Sequence, residues 1–493
     1  MQTTQPLNEA LIADVVKEVL QRLGATTGGA PAGGGPTSSP ARSSGSAPAR
    51  SGSRTFGVFT CVDAAVEAAT RAQEQLAQKT VEARGAAVEC IRTVLRRDQA
   101  DLARIELDET KIGKLIHKVE KLETAAGVPG VEMLKTDATS GTHGLTVTEY
   151  APYGVVGVVT PVTHSVPTLG CNAIMIIAAG NALVCNPHPS GAKCAVEATR
   201  RFNRAIVEKI GIDNLVCIIE NPTIESAGKL FKHPGVQLLL ATGGTAVAQA
   251  AMSAGKRAIV AGPGNPPVVV DETANIEKAA SGILAGAGYD NNLLCIGEKE
   301  VFVVQAVANA LLEAMSRKGG YRLSTEHMDK LAQAVLFKDE KSGHWLPRRE
   351  FVGQDPSVIA DLIGVRVGPD VKCLYGQTSE HNPLVPAEQM LPALPIVVVR
   401  DVDEAIAKAV HYEHGYKHTA LMWSRNVDNL TRMGRACDTT IYVKNGPCVA
   451  GLGVGGQGYG SFSIATPTGE GVTNPLHFTR YRRCTMVDSL RIF

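Results

Sequence analysis

Strong net charge and long apolar runs are both missing from this sequence of 493 residues. The formal net charge is only +1, so no strong field favours nucleic acid or an anionic membrane as the main partner. The nearest candidate for a membrane span, 171–185, falls short of the roughly 18 residues needed, and Asn172, Gly180 and Asn181 interrupt it. Charged residues within 14–22 likewise break the apolar core that a secretory signal requires. We therefore expect neither a membrane protein nor an exported one.

Paired cysteine motifs and P-loops are absent as well. The 11 cysteines include no CxxC pair, which is typical of reduced thiols in the cytosol rather than of disulfides or zinc sites. His411, His414 and His418 lack a partner set of acids or cysteines, so we predict no bound metal. No GxxxxGK[ST] stretch occurs, which argues against an ATP-driven enzyme.

An amphipathic segment and a tether precede the main body. Residues 8–23 carry apolar side chains at helical spacing with charges opposite, which predicts a helix within 1–23. Residues 24–54 are rich in Gly, Ala, Ser, Thr and Pro and contain no acid, so we predict a disordered linker. The helix could dock on a separate partner, pack on its own catalytic domain or help subunits associate, and the pattern alone leaves these alternatives open.

The body alternates predicted strands and helices. Helices over 61–107 precede the strands, and later helices begin near Ala192, Ile224 and Thr245. The first group of predicted strands comprises 145–150, 154–160, 183–186, 215–219, 236–241 and 257–260. The second group comprises 267–270, 300–304, 371–375, 396–399 and 441–443, with a last strand at 484–487. This rhythm predicts an α/β protein with two doubly wound parallel sheets.

Two stretches are candidates for chemistry. Ala241–Thr245 follows an apolar strand and opens a helix, where free N–H groups can hold a phosphate; a tight turn that needs glycine explains the pattern equally well. Cys295 follows the small and polar segment 286–292, whose N–H donors could stabilise a thiolate, and the Cys295 N–H could hold an oxyanion. Cys448, in the loop sequence Asn-Gly-Pro-Cys, is the rival nucleophile.

Ordered motifs extend over residues 56–493. They are Thr160-Pro161, NPHPSG from Asn186, Thr242-Gly243-Gly244, GPGNPPVVVDET from Gly262, YDNNLLC ending at Cys295, EQMLPALP from Glu388, KNGPCVAGLG from Lys444 and TPTGEGVT from Thr466. In this combination the chain resembles the aldehyde dehydrogenase superfamily, and within it the CoA-acylating enzymes of ethanolamine- and propanediol-type bacterial microcompartments.

The resemblance implies a domain plan. It predicts an NAD-binding domain at 55–261 with an oligomerisation hairpin at about 140–160, a catalytic domain at 262–446, and a C-terminal segment, 447–493, that returns to the NAD domain and ends in an oligomerisation strand. A dimer or tetramer is expected. The segment 1–23 resembles the encapsulation peptides that recruit such enzymes into microcompartments, so docking on a shell or core protein is favoured.

The resemblance also implies site residues and a reaction. Thr242, Gly243 and Gly244 would hold the NAD pyrophosphate, and Glu388 the nicotinamide ribose. Other residues expected beside the cofactor are Thr160, Pro161, Asn186 and His188. Cys295 would attack a short-chain aldehyde, give up a hydride to NAD, and pass the resulting acyl group to CoA.

Two departures from the family pattern bear on this chemistry. Hydrolytic relatives activate water with the Glu of a Glu-Leu-Gly-Gly motif, whereas 261–264 contains no acid, which favours CoA over water as the acyl acceptor. The Asn expected shortly after Thr-Pro is also missing, so Thr163 or His164 is the candidate side-chain donor to the oxyanion. A hydrolytic enzyme that makes a free acid and a non-catalytic microcompartment scaffold are the alternatives.

Overall fold

The structure is a computed structural model that describes residues 55–340 and 342–488. The helix and linker predicted at 1–23 and 24–54 therefore lie outside the described residues. Within the described ranges, no helix is both long enough and apolar enough to cross a bilayer.

The α-helices are numbered here in chain order. They are α1 Val62–Ala77, α2 Val81–Arg97, α3 Gln99–Thr110, α4 Leu115–Ala126, α5 Ser165–Ala178, α6 Ala192–Ile210, α7 Ile224–Lys232, α8 Thr245–Met252, α9 Ile276–Ala287, α10 Gln305–Arg317, α11 Thr325–Val335, α12 Pro356–Asp361, α13 Val402–Tyr412 and α14 Val427–Cys437.

The strands are numbered in the same way. They are β1 Val58–Phe59, β2 Asp137–Gly141, β3 Gly144–Pro152, β4 Val155–Thr160, β5 Ala182–Pro187, β6 Val216–Ile219, β7 Val236–Thr242, β8 Ala258–Ala261, β9 Pro267–Val270, β10 Glu300–Val304, β11 Gly320–Leu323, β12 Leu336–Lys338, β13 Trp345–Pro347, β14 Cys373–Thr378, β15 Ala393–Val399, β16 Thr419–Trp423, β17 Ile441–Lys444, β18 Ile464–Ala465, β19 Gly471–Val472 and β20 Thr479–Val487.

The first large sheet is parallel and has the order β1-β6-β5-β4-β7-β8. Its central strands β4 and β5 are buried at every position, as expected for a parallel sheet covered by helices on both faces. From β4 the chain adds β5 and β6 on one side of the sheet and then β7 and β8 on the other. At this change of direction the carboxyl ends of β5, β4 and β7 form a crevice of the kind in which α/β proteins bind ligands. Thr160 pairs with Pro187 at this edge, and Thr242 pairs with Ala261.

Helix α5 follows β4 and is buried along its whole length. Its sequence, Ser-Val-Pro-Thr-Leu-Gly-Cys-Asn-Ala-Ile-Met-Ile-Ile-Ala, is apolar on all sides, which in a globular protein is typical of a core helix. The apolar run noted at 171–185 is therefore this helix together with the start of β5.

The second large sheet is also parallel, with the order β11-β14-β15-β10-β9-β16-β17. The two parallel sheets confirm the predicted α/β fold class. Strands β11 and β16 were not predicted from the sequence. β11 is a short edge strand with two exposed residues in its Gly-Tyr-Arg-Leu, so its alternation is weak.

A separate antiparallel sheet has the order β2-β3-β20. The hairpin expected at about 140–160 is formed by β2 and β3 and ends at Pro152, because β4 pairs with β5 and β7 in the first large sheet. The C-terminal strand, predicted at 484–487, is longer and begins at Thr479.

Candidate active site

The turn before Cys295 has an unusual backbone. Asp290, Asn291 and Asn292 all have positive φ values, 47°, 56° and 64°. The left-handed region is unfavourable for most residues, but Asp and Asn tolerate it best after glycine. The Asp-Asn-Asn sequence therefore suits a tight turn that presents Cys295 immediately after it, and we call 289–294 the nucleophile turn.

The Asp290 side chain anchors this turn to helix α4 and the residue before it. Its carboxylate accepts the Lys114 backbone N–H at 2.7 Å and pairs with the buried ammonium of Lys121. The Asp290 N–H donates to His117 Nδ1 at 2.9 Å. Lys121 also donates to the carbonyl oxygen of Thr163 at 3.1 Å, so one ammonium joins the nucleophile turn to the loop after β4.

The two asparagines hold the rest of the turn. Asn291 Nδ2 donates to the carbonyl oxygen of Gly353 and to the Asp355 carboxylate, both at 2.9 Å. Asn292 Nδ2 donates to the carbonyl oxygen of Ala287 at 3.0 Å. Strained backbone of this kind persists where its surroundings hold it firmly, and such positions cluster at functional sites.

Lys299 lies beneath the same turn and is fully buried. Its ammonium donates to the carbonyl oxygens of Asn292 at 3.0 Å and Leu294 at 3.3 Å, and also to the Asn292 side-chain oxygen. The turn that presents Cys295 is thus held from below by a positive charge.

Cys295 is partly exposed, whereas Cys448 is completely buried. Burial raises the pKa of the Cys295 thiol to about 12; the Glu388 carboxylate acts in the same direction and Lys299 opposes both. Burial also raises the pKa of Cys448 well above its usual range, and its N–H donates to Glu298 at 3.0 Å. A substrate can reach Cys295 more readily than Cys448, which favours Cys295 of the two predicted nucleophiles.

Glu388 and Cys295 are brought together around Gly264. The Gly264 N–H donates to Glu388 Oε1 at 3.3 Å, and a Cβ added to Gly264 would lie only 2.6 Å from the Cys295 carbonyl oxygen. Burial raises the pKa of the Glu388 carboxyl to about 7, and the Lys299 charge opposes this rise. Because residue 264 is a glycine, both the Glu388 carboxylate and the Cys295 backbone can lie close to the main chain at this position.

The loop after β4 contains the two candidate oxyanion donors. His164 immediately precedes α5, and Thr163 Oγ1 lies 3.4 Å from His164 Nε2. Among the described residues, His164 Nδ1 has no hydrogen-bond partner. Burial, with a contribution from Lys121, lowers the pKa of His164 well below its usual range, so the imidazole is neutral at neutral pH. The neutral ring retains one N–H donor.

The predicted phosphate site lies at the start of α8. Gly243, Gly244 and the first residues of α8 are at least partly exposed, and Gly244 caps the helix without a side-chain hydrogen bond. A Cβ at Gly244 would meet nothing within 4 Å. Thr242 differs from its neighbours because it is buried and its hydroxyl lies 2.8 Å from Ser463 Oγ. The glycine backbone, rather than the Thr242 side chain, is free to contact a ligand.

The remaining predicted cofactor residues lie at the carboxyl ends of β4 and β5. Thr160 is buried, with Oγ1 at 3.7 Å from Cys185 Sγ, and Pro161 follows it. Asn186 is also buried, and its amide donates to the Thr223 carbonyl oxygen at 3.5 Å. The side chains of Thr160 and Asn186 therefore shape the edge of the crevice.

His188 is exposed at the same edge. Its Nδ1 accepts the Ser190 N–H at 3.1 Å. Burial of part of the ring and the charge of Arg349 lower its pKa.

Several buried charges were not predicted from the sequence. Lys118 pairs with Glu106 at 2.9 Å, and Glu106 also accepts the Val166 N–H at the start of α5 at 3.0 Å. The signal that could have revealed Lys118 and Lys121 is their spacing, because both lie on the buried face of α4 with Leu122. A lysine at an apolar helical position usually has a buried anionic partner.

Comparisons with known proteins identify the family that this chain resembles in sequence. The aldehyde dehydrogenase family matches residues 57–327. An acetylating acetaldehyde dehydrogenase (EutE) of Salmonella typhimurium is 45% identical over 439 residues, which cover 89% of this chain and 94% of the relative.

Two solved structures are also similar. Propionaldehyde dehydrogenase of Rhodopseudomonas palustris, with bound CoA and an acylated cysteine, superposes with a TM-score of 0.86 at 42% identity and covers 89% of this chain and 100% of that one. A propionaldehyde dehydrogenase from the fucose utilisation microcompartment of Clostridium phytofermentans superposes with a TM-score of 0.86 at 40% identity, with the same coverage. The family match and these relatives together show that the chain belongs to the aldehyde dehydrogenase family.

Proposed function

We propose that this chain is a CoA-acylating aldehyde dehydrogenase that oxidises a short-chain aldehyde with NAD and CoA to an acyl-CoA and NADH. The observation that carries the proposal is the partly exposed Cys295 at the end of an anchored left-handed turn, with Glu388 on the other side of Gly264. The relatives support it, since they include an acetylating acetaldehyde dehydrogenase and a propionaldehyde dehydrogenase with bound CoA.

The crevice in the first sheet fits a dinucleotide. The start of α8 offers helix N–H groups without a side-chain cap and open space over Gly244, which suits a pyrophosphate. Glu388 is partly exposed and can accept hydrogen bonds from a ribose. We assign Gly243 and Gly244 to the pyrophosphate and Glu388 to the nicotinamide ribose, with Thr160, Pro161, Asn186, His188 and Thr242 forming the edge of the crevice. Bound NAD would supply a hydride acceptor.

The protein's own part in the reaction begins at Cys295. The thiol first loses its proton to solvent. The sulfur then forms a bond to the aldehyde carbon as a thiolate, and the carbonyl oxygen becomes an oxyanion that the Cys295 N–H holds. We propose His164 or Thr163 as the side-chain donor to the same oxygen. Loss of hydride leaves a thioester on Cys295, and the CoA thiolate then takes the acyl group and returns the cysteine as a thiolate.

The end of β8 supports CoA rather than water as the acyl acceptor. Ala261 occupies the position at which hydrolytic relatives carry the water-activating Glu. A Cβ added to its neighbour Gly262 would lie 2.9 Å from Pro467 Cγ, so the C-terminal segment packs against this position. Without a carboxylate there, water lacks the general base that hydrolysis of the thioester needs.

We also propose that the enzyme works inside a bacterial microcompartment and that residues 8–23 dock it on a shell or core protein. The support is the amphipathic pattern of that segment, and the microcompartment origin of the Clostridium phytofermentans structure. A fluorescent protein fused to residues 1–54 should colocalise with a microcompartment shell, and a fusion in which Val15 and Val19 are replaced by Asp should stay diffuse.

The deciding experiment measures NADH formation from propionaldehyde with and without CoA. We expect CoA-dependent turnover with acyl-CoA as the product, a loss of all turnover in Cys295→Ala, and nearly full turnover in the matched variant Cys448→Ala. Equal turnover without CoA, with release of the free acid, would instead support the hydrolytic alternative. A silent wild-type protein would support the scaffold.

A further inference from the structure

Among the described residues, none supplies a carboxylate within ion-pair distance of the buried Lys299 ammonium. In the described part of the chain, the other fully buried lysines, Lys118 and Lys121, each form an ion pair, with Glu106 and Asp290 respectively. No such pair within 4 Å is found for Lys299, whose three acceptors are the uncharged oxygens of Asn292 and Leu294. A buried charge without a compensating partner is unfavourable, so its presence needs a reason other than packing.

The acceptor geometry fits the charged form of the side chain. An ammonium has three N–H donors, whereas a neutral amine has only two, and the cage around Nζ contains three oxygens. The Gln389 amide donates to the Lys299 carbonyl oxygen at 2.8 Å and fixes the backbone from which the side chain extends. Burial lowers the pKa of Lys299, and the Glu388 carboxylate opposes this shift. The cage of three oxygens and this nearby carboxylate together favour the cation below the nucleophile turn.

We propose that Lys299 is a positioning residue that polarises the Leu294–Cys295 peptide and so strengthens the Cys295 N–H as an oxyanion donor, a role that rests on the proposed function. The Leu294 carbonyl and the Cys295 N–H belong to one peptide group. A charged donor on the carbonyl oxygen draws electron density from the nitrogen, and hydrogen bonds in such chains strengthen one another by about 10–30%.

The same charge acts on the sulfur. Negative charge develops next to this peptide group, first on the thiolate and then on the oxyanion, and Lys299 is a fixed cation that stabilises both. The titratable groups that interact with Cys295 or Lys299 are Glu388, Glu298, Glu300, His418 and Cys448.

The test compares Lys299→Met, which keeps the side-chain length without the charge, with Lys299→Arg, which keeps the charge. Lys408→Met is the matched control, because Lys408 is a largely buried lysine that pairs with Glu380 at 2.6 Å. Two quantities are measured: kcat and KM for propionaldehyde in the presence of CoA, and the rate of iodoacetamide labelling at Cys295 at one fixed pH near neutrality, followed by mass spectrometry of its peptide.

In Lys299→Met we expect kcat to fall about 10- to 100-fold with KM within about 3-fold, because the lost interaction acts in the transition state. The labelling rate at that pH should fall about 10-fold or more, since loss of a nearby cation raises a thiol pKa and so lowers the thiolate fraction. Lys299→Arg should return the labelling rate close to the wild-type value. Lys408→Met should change neither quantity.

A Lys299→Met enzyme with wild-type kcat and a wild-type labelling rate at Cys295 would overturn the proposal. Should this variant fail to fold, Lys299→Gln replaces it and the same two outcomes apply. A wild-type protein without CoA-dependent NADH formation would instead refute the proposed function. The labelling rate would still show whether Lys299 acts on Cys295, so the two failures are distinguishable.

Discussion

At the scale of single residues, Glu298 is an acid whose burial affects stability. Burial raises the pKa of its carboxyl to about 7, and its surroundings include Cys448, Lys299 and Gly286, at which an added Cβ would lie 1.9 Å from Glu298 Oε2. Between the usual pKa of a glutamate and about 7, the folded protein therefore binds more protons here than the unfolded chain. Stability must fall as the pH rises through this window.

Replacement of Glu298 with Gln should remove this dependence. Between about pH 5 and pH 7.5, the free energy of unfolding of wild type should fall by on the order of 2–3 kcal/mol more than that of the variant. Urea unfolding at several pH values measures this difference. The stability of Glu298→Gln should still fall somewhat with rising pH, since Glu388 also has a raised pKa. Glu380→Gln is the control. The Lys408 ammonium lowers the pKa of Glu380, so this carboxyl changes the pH dependence of stability only below this pH range. The prediction would be contradicted if the free energy of unfolding of Glu298→Gln fell with rising pH as steeply as that of wild type.

The identity of the side-chain oxyanion donor is a second question at this scale. His164 Nδ1 has no hydrogen-bond partner among the described residues, so we expect His164→Ala to lower kcat about 10²-fold with little change in KM. His164→Asn should recover part of this loss because an amide N–H can donate. Steady-state kinetics of these variants and of Thr163→Ala decide the question; full activity in both alanine variants would exclude both residues as donors.

The sequence identifies some residues of the candidate site and leaves others unidentified, for a physical reason. Cys295 and Glu388 lie in motifs that can be recognised within one short segment. Lys121 and Lys299 act by contacts that depend on folding: Lys121 reaches Asp290 across 169 positions of the chain, and the cage around Lys299 exists only once the nucleophile turn has its left-handed backbone. No local pattern specifies such contacts.

At the scale of elements, the Lys121–Asp290 pair fixes helix α4 to the nucleophile turn. Both side chains are almost completely buried. We expect Asp290→Asn to destabilise the protein by about 3–5 kcal/mol, because it leaves the Lys121 ammonium without its anion. It should also lower kcat, since the turn that presents Cys295 loses an anchor. Thermal or urea unfolding and the NADH assay measure the two effects.

Asp438→Asn is a matched control for this substitution. Asp438 has nearly the same backbone angle, with φ 49° against 47° for Asp290, and it also pairs with a lysine, Lys417, at 2.7 Å. Both partners of this second pair are exposed, so its loss should change stability by at most about 1 kcal/mol. Equal effects of the two substitutions would mean that burial of the Lys121–Asp290 pair is unimportant.

Most buried strands of the two large sheets were predicted, although the equally buried β16 was missed. Strands β9 and β10 were predicted with their observed bounds, because a buried parallel strand is a short run of apolar residues. Strand β20 was predicted over its last four residues only. Its remaining residues include Arg480, Arg482 and Arg483, and pairing with β3 rather than apolar alternation defines them as a strand.

At the scale of the whole molecule, the C-terminal segment returns to the first large sheet. Ser463 Oγ contacts both Thr242 and Asn172, and the Val260 N–H donates to Thr468 Oγ1 at 3.0 Å. These contacts place the segment against the first large sheet. The predicted membership of the aldehyde dehydrogenase family is confirmed, whereas the domain boundaries at 261 and 446 stay a prediction.

The β2-β3-β20 sheet is the surface at which we predict that copies of this chain associate. All residues of β2 except the last are exposed, and β20 exposes Tyr481 by 72%, Met486 by 49% and Val487 by 64%. A three-stranded sheet with so little burial gains little stability in a monomer, and exposed apolar side chains clustered on one strand mark an interaction surface. We therefore predict a homo-oligomer, a dimer or a tetramer, in which a partner subunit covers this sheet.

Light scattering coupled to gel filtration tests this prediction. The wild-type protein should elute with the mass of two or four chains, and the double variant Tyr481→Glu/Val487→Glu should shift toward the monomer, since both side chains lie on one face of β20 and buried carboxylates are unfavourable. Ile224→Glu is the control: Ile224 is 94% exposed at the start of α7, away from this sheet, so its substitution should leave the mass unchanged. If the double variant kept the wild-type mass, another surface would have to hold the subunits together.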